Sequence, residues 1–530
     1  MPTLVMTAVG LWGLDRGGMW RDEAVSHQVA RRTVPQIWHL LHEVDAVHGL
    51  YYLLLHAVLA VHPGEVALRL PSVGAAALTA GLVAALGTRL LRPRAGLWAG
   101  LLYALSPMAG HYAQEGRSYA LVAAGATGAT LLFVRAVRGG SWWPYGALLG
   151  LTCWLHEFAV LLLLAHAVSL ALARAGARVW RGWGCAAAAA GLALLPMVWV
   201  SRGQSAQVAW LRTPTAETAE RLLRAFLGPT QEVFWVCLAL AVAGLAGLVG
   251  RRGELTCAGV ALPVAVVPPV VLMLASQASP LYVDRYVLYA LSGAPLLVAA
   301  GAERVAGAAA RLRTAAHRLP ALLARLRSGG GAPGALPEGR RPGEAVLTGR
   351  PLPSSPRAAL AGVLLVCLSA LHQFPVLRAD RDPGRRADDL GAVSRAAARR
   401  LAPGESVVFV PAVLRNAALT YPGAFRGVRD VALVEGAAES GTLYGREADA
   451  AELRRRLARL DRVWVVADRR VLGGRSAPRG PVERAKVTVL WQQFTRREEA
   501  VRRGVTVRLY VRPVSGRTGP PAAPPRPGRR

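Results

Sequence analysis

The sequence predicts an all-α polytopic membrane bundle of about 11 transmembrane helices, followed by a small C-terminal α/β domain outside the membrane. The chain of 530 residues is 53% hydrophobic and has a mean hydropathy of +0.32, which is too apolar for an ordinary soluble enzyme. Long apolar runs recur as far as residue 375. Beyond residue 376 they give way to short β-branched runs between polar segments, the pattern of strands in a separate domain.

The candidate spans share a low content of charged residues and are separated by charged or Gly/Pro-containing loops. We place them at residues 2–14, 66–88, 95–110, 119–135, 142–157, 158–173, 183–200, 232–250, 255–275, 285–301 and 358–375.

Arginine in the short loops predicts the orientation of the bundle, because cytoplasmic loops are enriched in Arg and Lys. Under strict alternation the basic loops all fall on one side, the cytoplasm; they are 89–94, 135–138, 174–181, 251–252 and 304–350. The outward segments are then 15–65, 106–118, 201–231, 276–284 and the tail 376–530. We therefore expect a multi-pass protein of the cell membrane whose C-terminal domain is extracytoplasmic.

This alternation holds only if the apolar run Leu50–Val61 does not cross the membrane. The run is about half as long as a span, which needs about 20 residues. We predict a helix that lies in the outer interface, with Tyr51 and Tyr52 at the level of the lipid headgroups.

Composition also divides the rest of the chain. We predict a membrane domain over 1–301 with a first outer loop at 15–65, and a disordered basic cytoplasmic linker over 302–357. After the last span, 358–375, we predict an extracytoplasmic α/β domain over 376–512 and a disordered tail over 513–530. Within that domain we expect strands at 406–411, 430–434 and 462–467, a helix at 451–460 and an edge strand at 505–512.

Charge and cysteine usage exclude several classes of protein. The net charge of +31 is carried by arginine, with Lys486 as the single lysine, but the arginines cluster in short loops and form no basic reading face. We therefore expect no nucleic-acid partner. The five cysteines lie in apolar segments without a CxxC spacing, which argues against a zinc ribbon or a disulfide scaffold.

Polar residues gather at the outward ends of the predicted spans, where ionisable groups are costly and commonly functional. The first outer loop contains Asp22, Glu23 and His48; the remaining candidates are Glu115, Arg117, Tyr119, His156, Arg285 and Tyr286. A carboxylate can remove the proton of an acceptor hydroxyl, and arginine offers a bidentate fork for phosphate oxygens. Such residues beside a bilayer suit a lipid-phosphate substrate. Alternative explanations are a solvated loop, a cap at a helix N-terminus or structural ion pairs.

Several short motifs carry a resemblance to a known family. The stretch Trp20-Arg-Asp-Glu-Ala-Val-Ser is similar to the first-loop motif W-x-DEA-x-S of GT-C membrane glycosyltransferases. This superfamily includes bacterial relatives of protein O-mannosyltransferases and the aminoarabinose transferases of lipid A. Further similar motifs follow in family order, namely HGLYYLLLH from residue 48, ALRLPS from 67, YAQEGRSYAL from 112, HEF from 156 and DRY from 284.

The resemblance implies a function and a set of roles. GT-C enzymes are bundles of many helices that transfer a sugar from a polyprenyl-phosphate donor on the outer face of the membrane. On that basis Asp22, Glu23 and Glu115 are candidate catalytic residues, and Asp22 and Glu115 could hold a divalent cation, Mg or Mn. We assign Arg117, Arg285 and His48 to the donor phosphate, with His156, Tyr119 and Tyr286 as further candidates.

The donor sugar expected from the resemblance is mannose, and the acceptor could be a protein, a lipid or a glycan. Two motifs depart from the family pattern: HPP is His48-Gly49-Leu50 here, and THY is Leu155-His156-Glu157-Phe158. The alternative function is a membrane transporter or flippase of a lipid-linked or anionic substrate, although the sequence shows no internal repeat. A structural or assembly protein would explain the C-terminal domain but would leave the membrane acids without a role.

Overall fold

The computed structural model describes residues 1–204, 211–327, 356–385, 388–478, 480–502 and 505–513. Helices dominate the described chain as far as residue 398. The α-helices are Pro2–Leu11, Arg21–Ala30, Val34–Glu43, Gly49–Val61, Glu65–Leu90, Pro93–Leu105, Pro107–Ala113, Tyr119–Val137, Trp143–Leu155, Leu161–Leu172, Ala177–Gly203, Ala216–Leu227, Gln231–Gly244, Cys257–Ala278, Gly293–Arg327, Pro356–Asp380, Leu390–Ala398, Asn416–Thr420, Ala450–Ala458, Arg469–Leu472 and Gly480–Gln493.

The helices form a membrane bundle, as predicted. Six helices in the described residues are long and apolar enough to cross a membrane, and a seventh span results if Ala216–Leu227 and Gln231–Gly247, which meet at 85°, count as one. The predicted number of about 11 is not confirmed, because several apolar runs form helices of 10–17 residues. Such helices are shorter than the roughly 20 residues needed for a full span.

Small residues let neighbouring helices approach closely in the bundle. Helices Glu65–Leu90 and Pro93–Leu105 pack along one side, where a Cβ at Gly96 would collide with the carbonyl oxygen of Ala84. Close backbone approach of this kind is how membrane helices associate without a hydrophobic driving force.

The first outer loop is helical and differs from the prediction in one respect. Helix Gly49–Val61 has 13 residues, close to the predicted bounds. Tyr51 and Tyr52 are both fully buried, so they do not lie at headgroup level as the sequence predicted. The Tyr52 hydroxyl donates a hydrogen bond of 2.7 Å to Asp45 Oδ2, and this polar partner inside the protein explains why the ring is buried.

The region predicted as a linker begins with a helix. Helix Gly293–Arg327 continues 26 residues past the predicted boundary at 301, and residues 328–355 lie outside the described residues. Nearly all of the predicted tail also lies outside them, from residue 514 onward.

The C-terminal domain contains a five-stranded mixed sheet and a small hairpin. The strands are β1 Ser406–Val410, β2 Arg429–Asp430, β3 Leu433–Glu435, β4 Arg446–Glu447, β5 Arg462–Asp468, β6 Thr495–Arg502 and β7 Val505–Val511. The order of the main sheet is β2-β1-β5-β7-β6. The prediction that 505–512 is an edge strand is wrong, because the charged and exposed strand β6 covers it.

The C-terminal domain packs directly on the first outer loop. The Tyr421 hydroxyl accepts a hydrogen bond of 2.9 Å from the Met19 amide and donates one of 2.5 Å to Glu65. Arg32 donates to the carbonyl of Thr442 over 2.8 Å. The domain and the first loop therefore lie on the same side of the membrane.

Candidate active site at the outer ends of the helices

The helix Arg21–Ala30, here the first-loop helix, presents its two acids in different directions. Asp22 and Glu23 lie in its first turn, where carboxylates interact favourably with the helix dipole. Adjacent residues of a helix point about 100° apart. Asp22 accordingly keeps 29% of its side-chain surface exposed, whereas the Glu23 side chain is almost fully buried.

Glu23 forms a buried ion pair with Arg69, which comes from the ALRLPS motif in helix Glu65–Leu90. The Arg69 Nε and Nη2 atoms each donate to one Glu23 oxygen over 2.8 Å. Glu23 Oε1 also accepts from the Gly116 amide over 2.9 Å, and Arg69 Nη1 donates to the carbonyl of Leu14 over 2.9 Å. Glu23 thus ties the first and second outer loops together.

Asp22 instead pairs with Arg285 at the start of a later helix. Arg285 Nη2 lies 3.2 Å from Asp22 Oδ2, and Arg285 Nε donates to the Tyr119 hydroxyl over 3.1 Å. The guanidinium also lies 5.7–5.8 Å from the ring centres of Trp20, Tyr119 and Tyr286. This arrangement holds the Arg285 guanidinium beside the partly exposed Asp22 carboxylate.

Arg117 is a buried cation without a carboxylate partner. Its Nη1 donates to Ser26 Oγ over 3.2 Å and its Nη2 to His48 Nε2 over 2.7 Å. Among the described residues no carboxylate lies within 4.0 Å of the guanidinium, and its buried Nε has no hydrogen-bond partner. A buried charge without a counter-charge is unfavourable, so this position suits an anionic ligand.

The contact with Arg117 determines the protonation of His48. Because a guanidinium only donates, His48 Nε2 accepts, and the proton of the neutral ring is on Nδ1. Burial, together with the positive charge of Arg117, lowers the pKa of His48 well below its usual value. Its buried Nδ1 has no partner in the described structure, so His48 offers a hydrogen-bond donor beside Arg117.

Aromatic rings connect His48 to Arg285. The His156 ring lies 6.0 Å from that of His48, 5.8 Å from that of Tyr119 and 4.6 Å from that of Tyr286. The structure thus gathers into one cluster all three predicted phosphate-binding residues and the three additional candidates. We call Asp22, Arg117, His48 and Arg285 the outer cluster.

Glu115 lies in the second outer loop, two residues before Arg117. The Ser72 hydroxyl donates to the Glu115 carbonyl over 2.6 Å and so fixes the second loop. The Glu115 side chain is buried, and burial raises its pKa to about 7. Its buried Oε2 has no hydrogen-bond partner in the described structure. It lines a cavity of about 270 Å³ together with Trp20 and Glu23.

The acids do not form a set of ligands that fits the predicted divalent cation. The described residues contain no group of three or more His, Cys, Asp or Glu side chains able to hold a metal ion. Arg285 occupies the position next to Asp22, and Glu23 is paired with Arg69. A hard cation needs several oxygen ligands, and these two acids do not supply them together.

Three further residues of the site, Arg69, Ser26 and Trp20, stand in the sequence motifs without a predicted role. Arg69 and Ser26 stand inside the quoted motifs, but a motif does not reveal that Arg69 binds Glu23 or that Ser26 binds Arg117. Trp20 begins the first motif and was not chosen as a candidate, although its ring contacts Arg285 and lines the cavity.

The chain resembles known proteins in part of its sequence and in its fold. Residues 48–200 match the family model described as dolichyl-phosphate-mannose-protein mannosyltransferase. The fold is similar to that of ArnT from Cupriavidus metallidurans in the apo state, with a TM-score of 0.56, 13% sequence identity and 95% of each chain covered. ArnT from that organism bound to undecaprenyl phosphate gives a TM-score of 0.55 at 12% identity, with 98% of each chain covered.

No curated protein matches the chain at a significant level. The resemblance predicted from the motifs is nevertheless confirmed by the family match and by the similarity in fold over nearly the whole chain. The chain is a multi-pass membrane protein with the fold of the GT-C glycosyltransferases, and its residues 48–200 carry the sequence pattern of a family of that type.

Proposed function

We propose that this protein transfers a sugar, most simply mannose, from a polyprenyl-phosphate donor to an acceptor hydroxyl on the outer face of the membrane. The observation that carries the proposal is the buried Arg117 guanidinium, which lacks a carboxylate within 4.0 Å among the described residues. A donor phosphate would supply the missing negative charge. The mannosyltransferase family match and the undecaprenyl phosphate bound by the similar ArnT structure support such a donor.

The outer cluster could bind the donor phosphate from two sides. Arg117 has its Nε available, and His48 has an Nδ1–H without a partner. Arg285 approaches from the opposite helix and is positioned by Tyr119. Charge-assisted hydrogen bonds to phosphate are stronger than neutral ones, and they strengthen further as the leaving phosphate gains charge.

Asp22 is the carboxylate best placed to act as the base. In the proposed step the acceptor oxygen forms a bond to the anomeric carbon while the bond from that carbon to the phosphate oxygen breaks. The bonding electrons leave with the polyprenyl phosphate, and the acceptor proton passes to Asp22. Arg285 lies 3.2 Å from the Asp22 carboxylate and positions it at the outer ends of the helices.

The remaining candidates have supporting roles in this proposal. Tyr119 and Tyr286 position Arg285, and the His156 ring packs between Tyr286 and His48. Glu23, predicted as catalytic, is saturated by Arg69 and the Gly116 amide. We propose that Glu23 positions Asp22 and the second loop.

Purified protein in vesicles, supplied with radiolabelled polyprenyl-phosphate mannose and a membrane extract as acceptor, tests the proposal. We expect label to appear in a covalent product, and Asp22→Asn to remove most of it. The matched control is Glu43→Gln, which changes an exposed acid of the same outer loop and should leave transfer intact.

The same assay distinguishes the alternative function. Uptake of label into the vesicle lumen without a covalent product would indicate a transporter and would overturn the proposal. Transfer from a polyprenyl-phosphate donor that carries another sugar, with none from mannose, would correct only the identity of the sugar.

A further inference from the structure

The cavity beside the first-loop helix is separate from the outer cluster. It is bounded by Trp20, Glu23 and Glu115 on the side of the helix bundle, and by Asp380 and Asp388 beyond the last membrane helix. The Trp20 ring lies 5.7 Å from the Arg285 guanidinium. Trp20 therefore forms the wall between this cavity, here the Trp20 cavity, and the proposed donor side.

Most acids of the Trp20 cavity are already paired within the protein. Glu23 binds Arg69, and Asp388 binds Arg21 over 2.6 Å. Asp380 lies 2.8 Å from His111 Nδ1. Glu115 differs from them, because its side chain lines the cavity and its buried Oε2 has no hydrogen-bond partner in the described structure.

An unpaired carboxyl oxygen in a buried cavity favours a ligand that carries hydroxyl groups. Four acids line the cavity against one arginine, Arg385, and one histidine, His111. An anion such as phosphate is therefore disfavoured here, in contrast to the Arg117 side. The indole of Trp20 offers a flat apolar surface with a polar edge. The cavity volume of about 270 Å³ is below the range of roughly 300–1,000 Å³ for pockets of drug-sized ligands, so it suits a single ring.

We infer that the Trp20 cavity is the acceptor subsite and binds an uncharged pyranose ring, with Glu115 hydrogen-bonded to a ring hydroxyl and the sugar placed against Trp20. The inference rests on the proposed transferase function and names the chemical class of its acceptor, the terminal sugar of a glycan or of a glycolipid. A ring in this position has Glu23 on one side and the neighbouring Asp22 beyond Trp20. An acceptor hydroxyl could reach the donor side there.

A binding measurement can test this subsite without any transfer activity. His111 lines the cavity and its side chain is 54% exposed, so His111→Cys provides a thiol at the rim in a protein without the five native cysteines. We expect methyl glycosides of mannose, glucose or galactose to slow its reaction with an impermeant thiol reagent, and inorganic phosphate to have no effect. The matched control is Glu43→Cys, an exposed position of the first outer loop, whose labelling should not respond to sugars.

The carboxyl group provides a second variant with a different readout. Adding Glu115→Gln to His111→Cys should raise the sugar concentration needed for protection by about 10- to 100-fold, as expected for a lost hydrogen bond to a charged group. A comparison of octyl mannoside with methyl mannoside distinguishes a glycolipid from a glycan as the source of the acceptor sugar. Stronger protection by the octyl form indicates a glycolipid, and equal protection indicates a glycan.

The possible results separate this inference from the proposed function. Protection by glycosides in a protein that transfers no sugar would support the subsite and overturn the transferase. Transfer without protection by any glycoside, or protection by phosphate or by N-acetylthreonine amide alone, would overturn the pyranose subsite and leave the transferase intact.

Discussion

Two regions of this molecule bury charged side chains, and they differ in whether those charges are satisfied. In the C-terminal domain Lys486 lies 2.7 Å from both Glu447 oxygens and 3.0 Å from the carbonyl of Phe409. Arg415 binds Glu447 and Asp430, each over 2.6 Å. We call these four residues the domain cluster. Each of its charges faces an opposite charge, and no ligand is needed to complete it.

The outer cluster in the membrane domain leaves polar atoms without partners. His48 Nδ1 and Arg117 Nε are buried and have no hydrogen-bond partner in the described structure. Buried polar groups are almost always paired. Two titratable side chains that contact each other, as His48 and Arg117 do, and that both leave a buried atom unpaired indicate a site that binds something else. Burial of charge alone would have selected the domain cluster equally well. The comparison indicates that incomplete pairing is the better marker of function.

The largest expected effect on stability lies in the domain cluster. Glu447→Gln leaves Lys486 buried without a carboxylate, and we expect the free energy of unfolding to fall by about 3–5 kcal/mol. Denaturant unfolding of the purified protein measures this loss. Glu498→Gln, an exposed acid of the same domain, is the control and should change little. If Glu447→Gln kept normal stability but bound the donor less tightly, the claim that the domain cluster is only structural would be wrong.

Two buried acids, Glu115 beside the Trp20 cavity and Glu447 in the domain cluster, should also respond oppositely to pH. Burial raises the pKa of Glu115 from 4.5 to about 7, so the folded state holds this proton where the unfolded state has lost it. The Glu115 contribution to unfolding free energy therefore falls by about 3 kcal/mol as the pH rises from about 4.5 to about 7. Burial would also raise the pKa of Glu447, but Lys486 and Arg415 outweigh it and lower that pKa. Stability from Glu447 is present above pH about 4.5 and is lost as the pH falls.

Unfolding curves at several pH values, with Glu115→Gln and Glu447→Gln, measure both contributions. Glu115→Gln should remove a decrease between pH 4.5 and 7 that Glu447→Gln retains. Identical pH profiles for Glu115→Gln and the wild type would show that Glu115 is ionised in the folded protein.

Removing the buried cation of the outer cluster should affect binding and spare stability. Arg117→Ala should raise the donor KM by about 10- to 100-fold, because it removes charge-assisted hydrogen bonds to phosphate. The unfolding free energy should stay the same or rise, since the guanidinium has no carboxylate within 4.0 Å in the described residues. Arg117→Lys should recover only part of the affinity, because a point charge does not replace a fork. An unchanged donor KM would contradict the phosphate assignment.

Cysteine substitutions that report the orientation of the protein in the membrane should change its activity least. Both clusters should face outward, because the C-terminal domain binds the first outer loop through Tyr421. In a protein without native cysteines, Val434→Cys should react on intact cells with an impermeant thiol reagent, and Gly253→Cys in a predicted cytoplasmic loop should not. Both positions are exposed. Labelling of Gly253→Cys from outside would reverse the topology.

The sequence predicted the fold class and most site residues because membrane helices and motif order are local signals. Apolar length located Glu65–Leu90 and Tyr119–Val137 within a few residues. Burial within the protein was not visible, so Tyr51 and Tyr52 were assigned to the lipid interface although both are fully buried. Short apolar runs were also counted as spans, since hydropathy does not show whether a helix crosses.

The different roles of the two acids in the first motif could not be predicted from the sequence either. Asp22 and Glu23 are neighbours of the same chemical type, and only the long-range partners Arg69 and Arg285 distinguish them. The strand at 505–511 shows the same limit, because the strand that covers it is recognisable only in the folded sheet.

Asp22 and Glu23 lie in the same turn of one helix. Substituting each of them therefore compares a proposed catalytic carboxylate directly with a structural one. Turnover and unfolding free energy should be measured for Asp22→Asn and Glu23→Gln side by side. We predict that Asp22→Asn loses about 10²- to 10⁴-fold in kcat and less stability than Glu23→Gln, because the ion pair of Asp22 with Arg285 is partly exposed. Glu23→Gln should lose about 3–5 kcal/mol of stability because Arg69 becomes an unpaired buried charge. Turnover of Asp22→Asn within about twofold of wild type, or a stable Glu23→Gln without turnover, would contradict the claim that incomplete pairing marks the chemistry.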